Sequence, residues 1–456
     1  AYEMQRSLGG SEMCIRDSFR PSPPFLSPPL RYNRSELLRL EDSVMQFVSL
    51  SRAEYAQAVA DADRLFLPQL PEYGKVVEDR GEKVEYVGVR RDGAVVASAL
   101  IHYQPWKKFF LRALIVSGPT LDWKDEDVVR FFFANLIAHV KKNKRVLSLR
   151  VSPNVPAAFY RDVEKVEDAP IGKAINAFLT GIGFDRLKKE FYDQPDIPIR
   201  FIYTKDIADK SFEEIADSLS KTMRRQVKHV GRYGVEVKIL GSEDWDVFQE
   251  LYDSSRERTD MAELSGSSIG LYRHLMDELG PEKAILVVAY AHPETYLKEI
   301  EDNLSDLRTQ IAQKEEPPLT TKKERALKEL NSQANSLQRQ LTEVKDLADR
   351  YGDNVPFAGV LAFRSGNEIL QLLRGFNKEF TTFNRDYPIE SALLRWAADR
   401  DFKVYNTYGV SGILDDSAPD ANVIAYKRKL DGNMEEFIGT YMLPVSPLAR
   451  VLGALA

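Results

Sequence analysis

The chain has 456 residues, 43% of them hydrophobic, and a formal net charge of -6. That length allows two or three domains, each with its own core, and that charge excludes a protein that coats nucleic acid over its whole surface while leaving room for a local basic patch. The longest apolar run, Ala284 to Ala291, falls far short of the roughly 20 residues a membrane-spanning helix needs, so the expectation is a soluble protein that at most touches a membrane surface.

In chain order, the first segment stands apart. Ser7 to Ser18 resembles the conceptual translation of a sequencing adapter. It lacks the basic start, apolar core and small-residue cleavage site of a signal peptide. It also holds the one cysteine, Cys14, so no intramolecular disulfide can form, which suits a reducing cytoplasm. Five prolines between Pro21 and Pro29 predict an extended linker. Residues 1–44 are therefore set aside from the fold.

Two later stretches follow one plan. Val84 to Val89 and Ala94 to Tyr103 are strand-like runs joined by Arg-Arg-Asp-Gly, a hairpin signal. Val128, Phe132, Leu136 and Val140 then mark an amphipathic helix over about Asp125 to Lys142, and Val146 to Val151 reads as a strand. A further helix runs into Gly181-Ile-Gly183, glycines placed to stop it. In the second stretch, Phe357 to Phe363 and Glu368 to Leu373 form the hairpin, Pro388 to Asp399 the helix, and Lys403 to Tyr408 the strand. Divergent repeats of an α/β unit explain this, and two unrelated α/β domains explain it as well.

Between them lie two heptad seams. Leu297, Ile300, Leu304, Leu307 and Ile311 step by 3 and 4, and after Pro317-Pro318 the pattern resumes at Leu327, Leu330, Ala334, Leu337, Leu341 and Val344. Two such helices joined by a short turn zip together antiparallel, each about 30 Å long at 1.5 Å per residue.

The common catalytic signatures are absent from the sequence. The five histidines (102, 139, 229, 274, 292) have no His-Glu-x-x-His spacing, and there is neither a Gly-x-Ser-x-Gly elbow nor a phosphate-binding Gly-x-x-x-x-Gly-Lys loop. No metal and no cofactor is expected. The clearest polar constellation is Lys221, Arg224, Arg225, Lys228 and Arg232, which helical spacing puts on one face opposite Met223, Val227 and Val230. Such a stripe is either a solvated face or a seat for a phosphate-bearing partner. With no acid between 221 and 235 to neutralise it, the second reading gains weight. A second cluster comprises Tyr408-Gly409-Val-Ser411-Gly412, Tyr426-Lys427 and Glu436 to Tyr441. Its Tyr-Gly-x-Ser-Gly loop follows a strand, where α/β sheets often bind ligands.

Several short motifs, taken in order, resemble the FemABX family of tRNA-dependent peptidoglycan cross-bridge transferases. They are Phe66-Leu-Pro-Gln69 with Tyr73-Gly74, Ser117-Gly-Pro-Thr-Leu-Asp122, Lys221-Thr-Met-Arg-Arg-Gln-Val-Lys228, Tyr408-Gly-Val-Ser-Gly412, and Phe437-Ile-Gly-Thr-Tyr-Met-Leu-Pro444. The resemblance implies an α/β (α+β) fold of two GNAT-like acyltransferase domains, with the antiparallel coiled-coil arm inserted in the second. The boundaries expected are 45–198 plus 433–456 for the first domain, 199–292 plus 352–432 for the second, and 293–351 for the arm. The implied reaction moves an amino acid from aminoacyl-tRNA to a side-chain amine of a peptidoglycan precursor, a lipid-linked or UDP-linked muropeptide. The implied setting is the cytoplasm, with peripheral contact at the inner membrane face.

By the same resemblance Lys427, paired with Tyr426, stabilises the oxyanion or the leaving ribose oxygen; otherwise it is a strand lysine facing solvent. Asp122 matches an aspartate assigned as general base, or serves a turn. Arg224 and its basic neighbours, with Lys75, hold the precursor. The chain departs from the family pattern at Leu70, at Tyr73-Gly74 in place of Trp-Gly, and at Lys75, one residue past the glycine rather than two. Two competing readings remain: an acetyl-CoA-dependent GNAT acetyltransferase, which needs an Arg/Gln-x-x-Gly-x-Gly/Ala loop that the sequence lacks, and a non-enzymatic coiled-coil RNA-binding adaptor.

Overall fold

The computed structural model describes residues 45–188, 197–228, 230, 234–256, 264–317, 320–383, 386–415 and 417–451. The adapter-like segment, the proline linker, Cys14 and Arg232 lie outside the described residues.

The chain opens with β1 (Met45–Leu50), α1 (Arg52–Val59) and α2 (Pro71–Asp79), then the meander β2 (Lys83–Arg91), β3 (Ala94–Trp106) and β4 (Phe110–Ile115), with the short β5 (Thr120–Leu121) against β3. Helix α3 (Glu126–Lys142) crosses to β6 (Val146–Val151), which runs parallel to β4. Its start is set by Asp125, whose carboxylate accepts from the Val128 amide at 3.2 Å, and its last turn carries His139, Lys141 and Lys142, favourable at a helix C-terminus. There follow β7 (Pro156–Arg161), β8 (Glu164–Asp168), α4 (Pro170–Gly181) and β9 (Asp185–Arg186). Gly183 has a φ of +99°, the left-handed residue that ends α4.

The second half repeats the plan with additions. It comprises β10 (Phe201–Asp206), α5 (Phe212–Ser218), α6 (Lys221–Lys228), β11 (Val235–Leu240), α7 (Trp245–Arg256), α8 (Gly266–Leu279) and β12 (Ala284–Ala291). Next come the arm helices α9 (Pro293–Glu315) and α10 (Thr321–Tyr351), then β13 (Val355–Ser365) and β14 (Glu368–Phe376). Helix α11 (Asp386–Ala398) crosses to β15 (Val404–Val410), parallel to β14. The chain closes with α12 (Ala421–Lys427), β16 (Asn433–Phe437), β17 (Tyr441–Pro444) and α13 (Leu448–Val451). Meander, helix and parallel strand thus occur in each sheet, the arrangement of two GNAT-like lobes. The arm is an insertion between the paired strands β12 and β13.

The sheets run β1-β2-β3-β4-β6-β17-β9 and β11-β12-β13-β14-β15-β10-β16-β7-β8. The lobes are therefore more entangled than the expected boundaries allow. Within 433–456, β17 does join the first sheet, but β16 pairs with β10 and β7 in the second. Likewise β7 and β8, from the 45–198 stretch, form the edge of the second sheet. Each lobe has a core of its own, and a third cluster joins the two. Tyr55, Val76, Tyr86 and Leu100 of the first lobe share one buried cluster with Trp245, Phe248, Leu275, Leu286 and Phe363 of the second. Hydrophobic period reports which face of a strand is buried but not which strand lies beside it, so sequence could not separate these cases.

The arm is longer than its seams. At 1.5 Å per residue the 23 residues of α9 and the 31 of α10 span about 35 and 46 Å. At its base Tyr296, Ile300, Leu304, Val344 and Leu347 are buried with Phe357, Phe380 and Phe383 of the second lobe.

Candidate active site

Helix α12 ends at Lys427, whose side chain points into the protein and is 7% exposed. Lys427 is thus a buried helix-end residue, not a strand lysine facing water. Its Nζ donates to the carbonyl oxygens of Tyr408 at 3.1 Å and Gly409 at 2.7 Å. Tyr408 carries a φ of +66°, a conformation that turns successive carbonyls toward the amine. Burial, and next the positive charge of Arg374, pull the Lys427 amine down to about 7.

The loop and the helix are tied together from several sides. Asp420, at the head of α12, leaves its own helix amides uncapped and instead accepts from the Ser411 amide at 2.8 Å and the Ser411 hydroxyl at 2.5 Å. The Tyr408 amide donates to Asn406 Oδ1 at 2.8 Å, and Asn406 Nδ2 donates to Glu368 at 2.7 Å. Glu368 ion-pairs with Arg64, which also reaches Glu435 at 2.5 Å. A path of polar contacts therefore runs from the first lobe to the loop beside Lys427. A hollow of about 300 Å³ opens next to Arg64, lined also by Asp63, Ser98 and Thr120.

Behind the lysine lies a second polar group. Glu390 of α11, fully buried, accepts from the Tyr426 hydroxyl at 3.1 Å, from the Tyr405 hydroxyl and from Arg374, while Gln371 donates to it at 3.3 Å. Arg374 also donates to Gln371 at 2.6 Å and lies 5.4 Å from the Tyr426 ring centre. Every partner is engaged, as a buried charge requires. Burial pushes the Tyr426 and Tyr405 phenols well up, and the Glu390 carboxylate adds to it.

The basic stripe adjoins this site. The amide of Ser220, just ahead of α6, donates to the carbonyl of Lys429 at 3.0 Å, two residues past Lys427. On α6 Met223 and Val227 are buried, while Lys221, Arg224, Arg225 and Lys228 face outward. No acid on the stripe's own helix neutralises it, but one position is paired from a neighbouring helix. Lys228 pairs with Asp217 of α5 at 2.6 Å, a contact between helices that spacing along one helix cannot reveal. Arg224 donates to the Leu219 carbonyl at 3.1 Å.

Two expected residues lie in other settings. Asp122 is exposed and accepts from the Lys124 amide at 2.9 Å, in the turn that leads into α3. Lys75 on α2 is paired with Asp79 at 2.8 Å and with Glu278 of α8. His274 approaches Asp79 to 3.3 Å, so this cluster of potential metal ligands already has the Lys75 ammonium between its carboxylates. Tyr73 of the same helix packs against the cluster that the two lobes share. Burial raises the Tyr408 phenol, with Tyr272 of α8 and Tyr73 adding to the effect, and burial followed by Tyr272 brings Tyr73 to about 12.

The motif Phe66-Leu-Pro-Gln69 is a bracket within the fold. Gln69 Nε2 donates to the carbonyls of Leu100 and Val116 at 3.1 and 3.0 Å, and a Cβ at Gly118 would come within 2.8 Å of its side chain. The sequence profile of the FemAB family matches residues 50–456. The chain belongs to the FemAB family. The chain is 23% identical over 410 residues to the aminoacyltransferase FemA of Staphylococcus epidermidis, covering 88% of this chain and 96% of that one. It matches FemA of Staphylococcus aureus over 411 residues at the same identity and coverage. A crystal structure of FemX superposes with a TM-score of 0.68 at 17% identity, over 89% of this chain and 99% of that one, which shows a shared fold.

Of the residues around the candidate site of this FemAB-family chain, Arg64, Glu368, Asn406, Arg374, Glu390 and Asp420 escaped the sequence reading. Only Asp420 carried a signal, as an aspartate just before a short apolar-periodic stretch. The arrangement offers one amine, held at a turned loop, beside a row of exposed cations.

Proposed function

We propose that the chain is an aminoacyltransferase that moves the amino acid of aminoacyl-tRNA onto a side-chain amine of a peptidoglycan precursor stem peptide. The observation that carries this reading is the buried Lys427 amine, set at the Tyr408–Gly409 carbonyls and next to the outward-facing cations of α6. The acceptor nitrogen attacks the ester carbonyl, an oxyanion forms, and the ribose oxygen departs with a proton as the amide closes. Such a reaction needs positioning and a charge that meets the oxyanion more than a dedicated nucleophile. Lys427, in its protonated form, supplies that charge. Tyr426, fixed by Glu390 and Arg374, sets where α12 ends, and Asp420 fixes the loop through Ser411. Lys221, Arg224 and Arg225 take precursor phosphates. Asp122 serves the turn before α3 and not the proton transfer. Lys75 acts by joining α2 to α8.

The arm docks charged tRNA, and the setting is the cytoplasm, with the acceptor presented at the inner membrane face. The test is transfer of radiolabel from charged tRNA to purified muropeptide precursor, with labelled acetyl-CoA as the competing donor. Transfer from tRNA alone is expected; transfer from acetyl-CoA alone would overturn the reading. Replacing the arm between Leu297 and Val344 with a short Gly-Ser turn should leave the lobes folded and weaken charged-tRNA binding, read by filter binding. Unchanged affinity would reduce the arm to a structural hairpin.

A further inference from the structure

One corner of the first lobe gathers three chain segments that contain no acidic residue: 103–112, 139–147 and 445–451. The β3–β4 hairpin supplies the first, the end of α3 and the start of β6 the second, and the stretch through α13 the third. They are physically joined. Arg145 Nε donates to the Phe109 carbonyl at 2.9 Å, and the Leu111 amide donates to the Arg145 carbonyl at 2.9 Å. Beneath them Leu147 and Ala449 are buried against Trp106 and Phe110.

The surface of this corner is unusual for a chain of net charge -6. Lys108, Lys141, Lys142, Lys144 and Arg145 are all exposed. At the hairpin turn Phe109 is 64% exposed, the most exposed large apolar side chain among those described, and Leu448 of α13 is 47% exposed. Half-buried aromatics beneath an exposed phenylalanine, ringed by lysines, form a wedge suited to a charged interface with an apolar interior. A nucleic-acid surface would instead offer open ring faces to bases. Here Lys107 lies 4.4 Å and Arg112 5.2 Å from the Trp106 ring centre, which occupies that ring.

We propose that this corner docks the protein on an anionic phospholipid surface, with Phe109 entering the interface and the lysines facing the headgroups. The inference goes beyond the transfer reaction, because vesicle binding can fail while transfer to a water-soluble precursor stands, and the reverse. The probe is co-sedimentation of the full chain with phosphatidylcholine vesicles, with and without phosphatidylglycerol, at low and high salt. Binding is expected only with phosphatidylglycerol and should weaken with salt.

Each cation near such a surface contributes about fivefold, so Lys108→Gln/Lys141→Gln/Lys144→Gln should lower partitioning on the order of 100-fold. Phe109→Ser should lower it about tenfold. Circular dichroism and melting temperature should match the parent, since the replaced side chains are exposed. A charge-matched control, Lys314→Gln/Lys322→Gln/Lys328→Gln on the arm, where all three lysines are exposed, should partition like the parent. Equal binding to phosphatidylcholine alone, or an equal loss in the arm control, would overturn the proposal. So would an absence of vesicle binding together with loss of tRNA binding in the triple variant, which would make the corner a nucleic-acid surface.

Discussion

Helices α3 and α11 hold matching places in the two sheets, each following an antiparallel meander and preceding a strand parallel to the meander's last member. Their buried faces differ. On α3 they are Val128, Val129, Phe132, Phe133, Leu136 and Val140, all apolar. On α11 Glu390 and Ser391 sit among Ile389, Leu393, Leu394 and Trp396. Ser391 donates to the Val227 carbonyl at 2.9 Å and so anchors the basic helix, while Glu390 organises Arg374, Tyr405 and Tyr426. One plan is thus built twice, once for packing and once around a buried polar group whose desolvation is offset by the partners it gathers.

The comparison is sharpened by pairing two substitutions of similar stability cost. Phe133→Ala should destabilise the chain by about 3–5 kcal/mol through the cavity it leaves. Arg374→Met should cost about 3–5 kcal/mol by leaving Glu390 buried without its counter-charge. Chemical denaturation measures both. Turnover per folded molecule should survive the first and fall at least about tenfold in the second, in line with loss of a positioning contact. Equal activity in the two variants would break the distinction between the halves.

A second prediction concerns pH. Lys427 has its ordinary value of 10.5 in the unfolded chain and about 7 in the fold. Between those values the unfolded state holds a proton that the folded state lacks, so stability rises with pH across that window. Lys427→Met removes this slope. It should be more stable than the parent near pH 7, with the gap narrowing toward pH 10, which thermal melts across that range would show. In the parent, kcat/KM should carry a descending limb near 7 that the variant lacks, and Arg374→Met, by removing a neighbouring positive charge, should move that limb upward.

How much of this was legible in the sequence depends on how local the cause is. The two hairpins, α3, β6 and the arm's seams follow from hydrophobic period and turn chemistry, and the structure places them within a few residues; the third strand of each meander was not read. The Tyr408 loop and Tyr426-Lys427 were legible as motifs. Their contact was not, because it depends on Asp420 turning away from its own helix. Glu390 reads as an ordinary polar position on an amphipathic helix, and only the approach of β14 and β15 buries it. The exchange of β7, β8 and β16 into the second sheet has no local signature at all.

The smallest expected effect is at the surface. Arg225→Glu on the exposed face of α6 should weaken precursor binding several-fold at low salt and less at high salt, because exposed phosphate contacts are screened. Titration of precursor at two ionic strengths measures it. A loss independent of salt, with a lowered melting temperature, would move Arg225 from the partner surface to the fold.

The most direct test of the central claim is single-turnover transfer by Lys427→Met, with the affinities for charged tRNA and precursor measured on the same preparation. Methionine keeps most of the side-chain bulk and removes the charge. The account predicts transfer slowed on the order of 100-fold or more, with both affinities within about twofold of the parent. Transfer within about threefold of the parent would contradict it, and positioning by the surrounding fold alone would then have to carry the reaction.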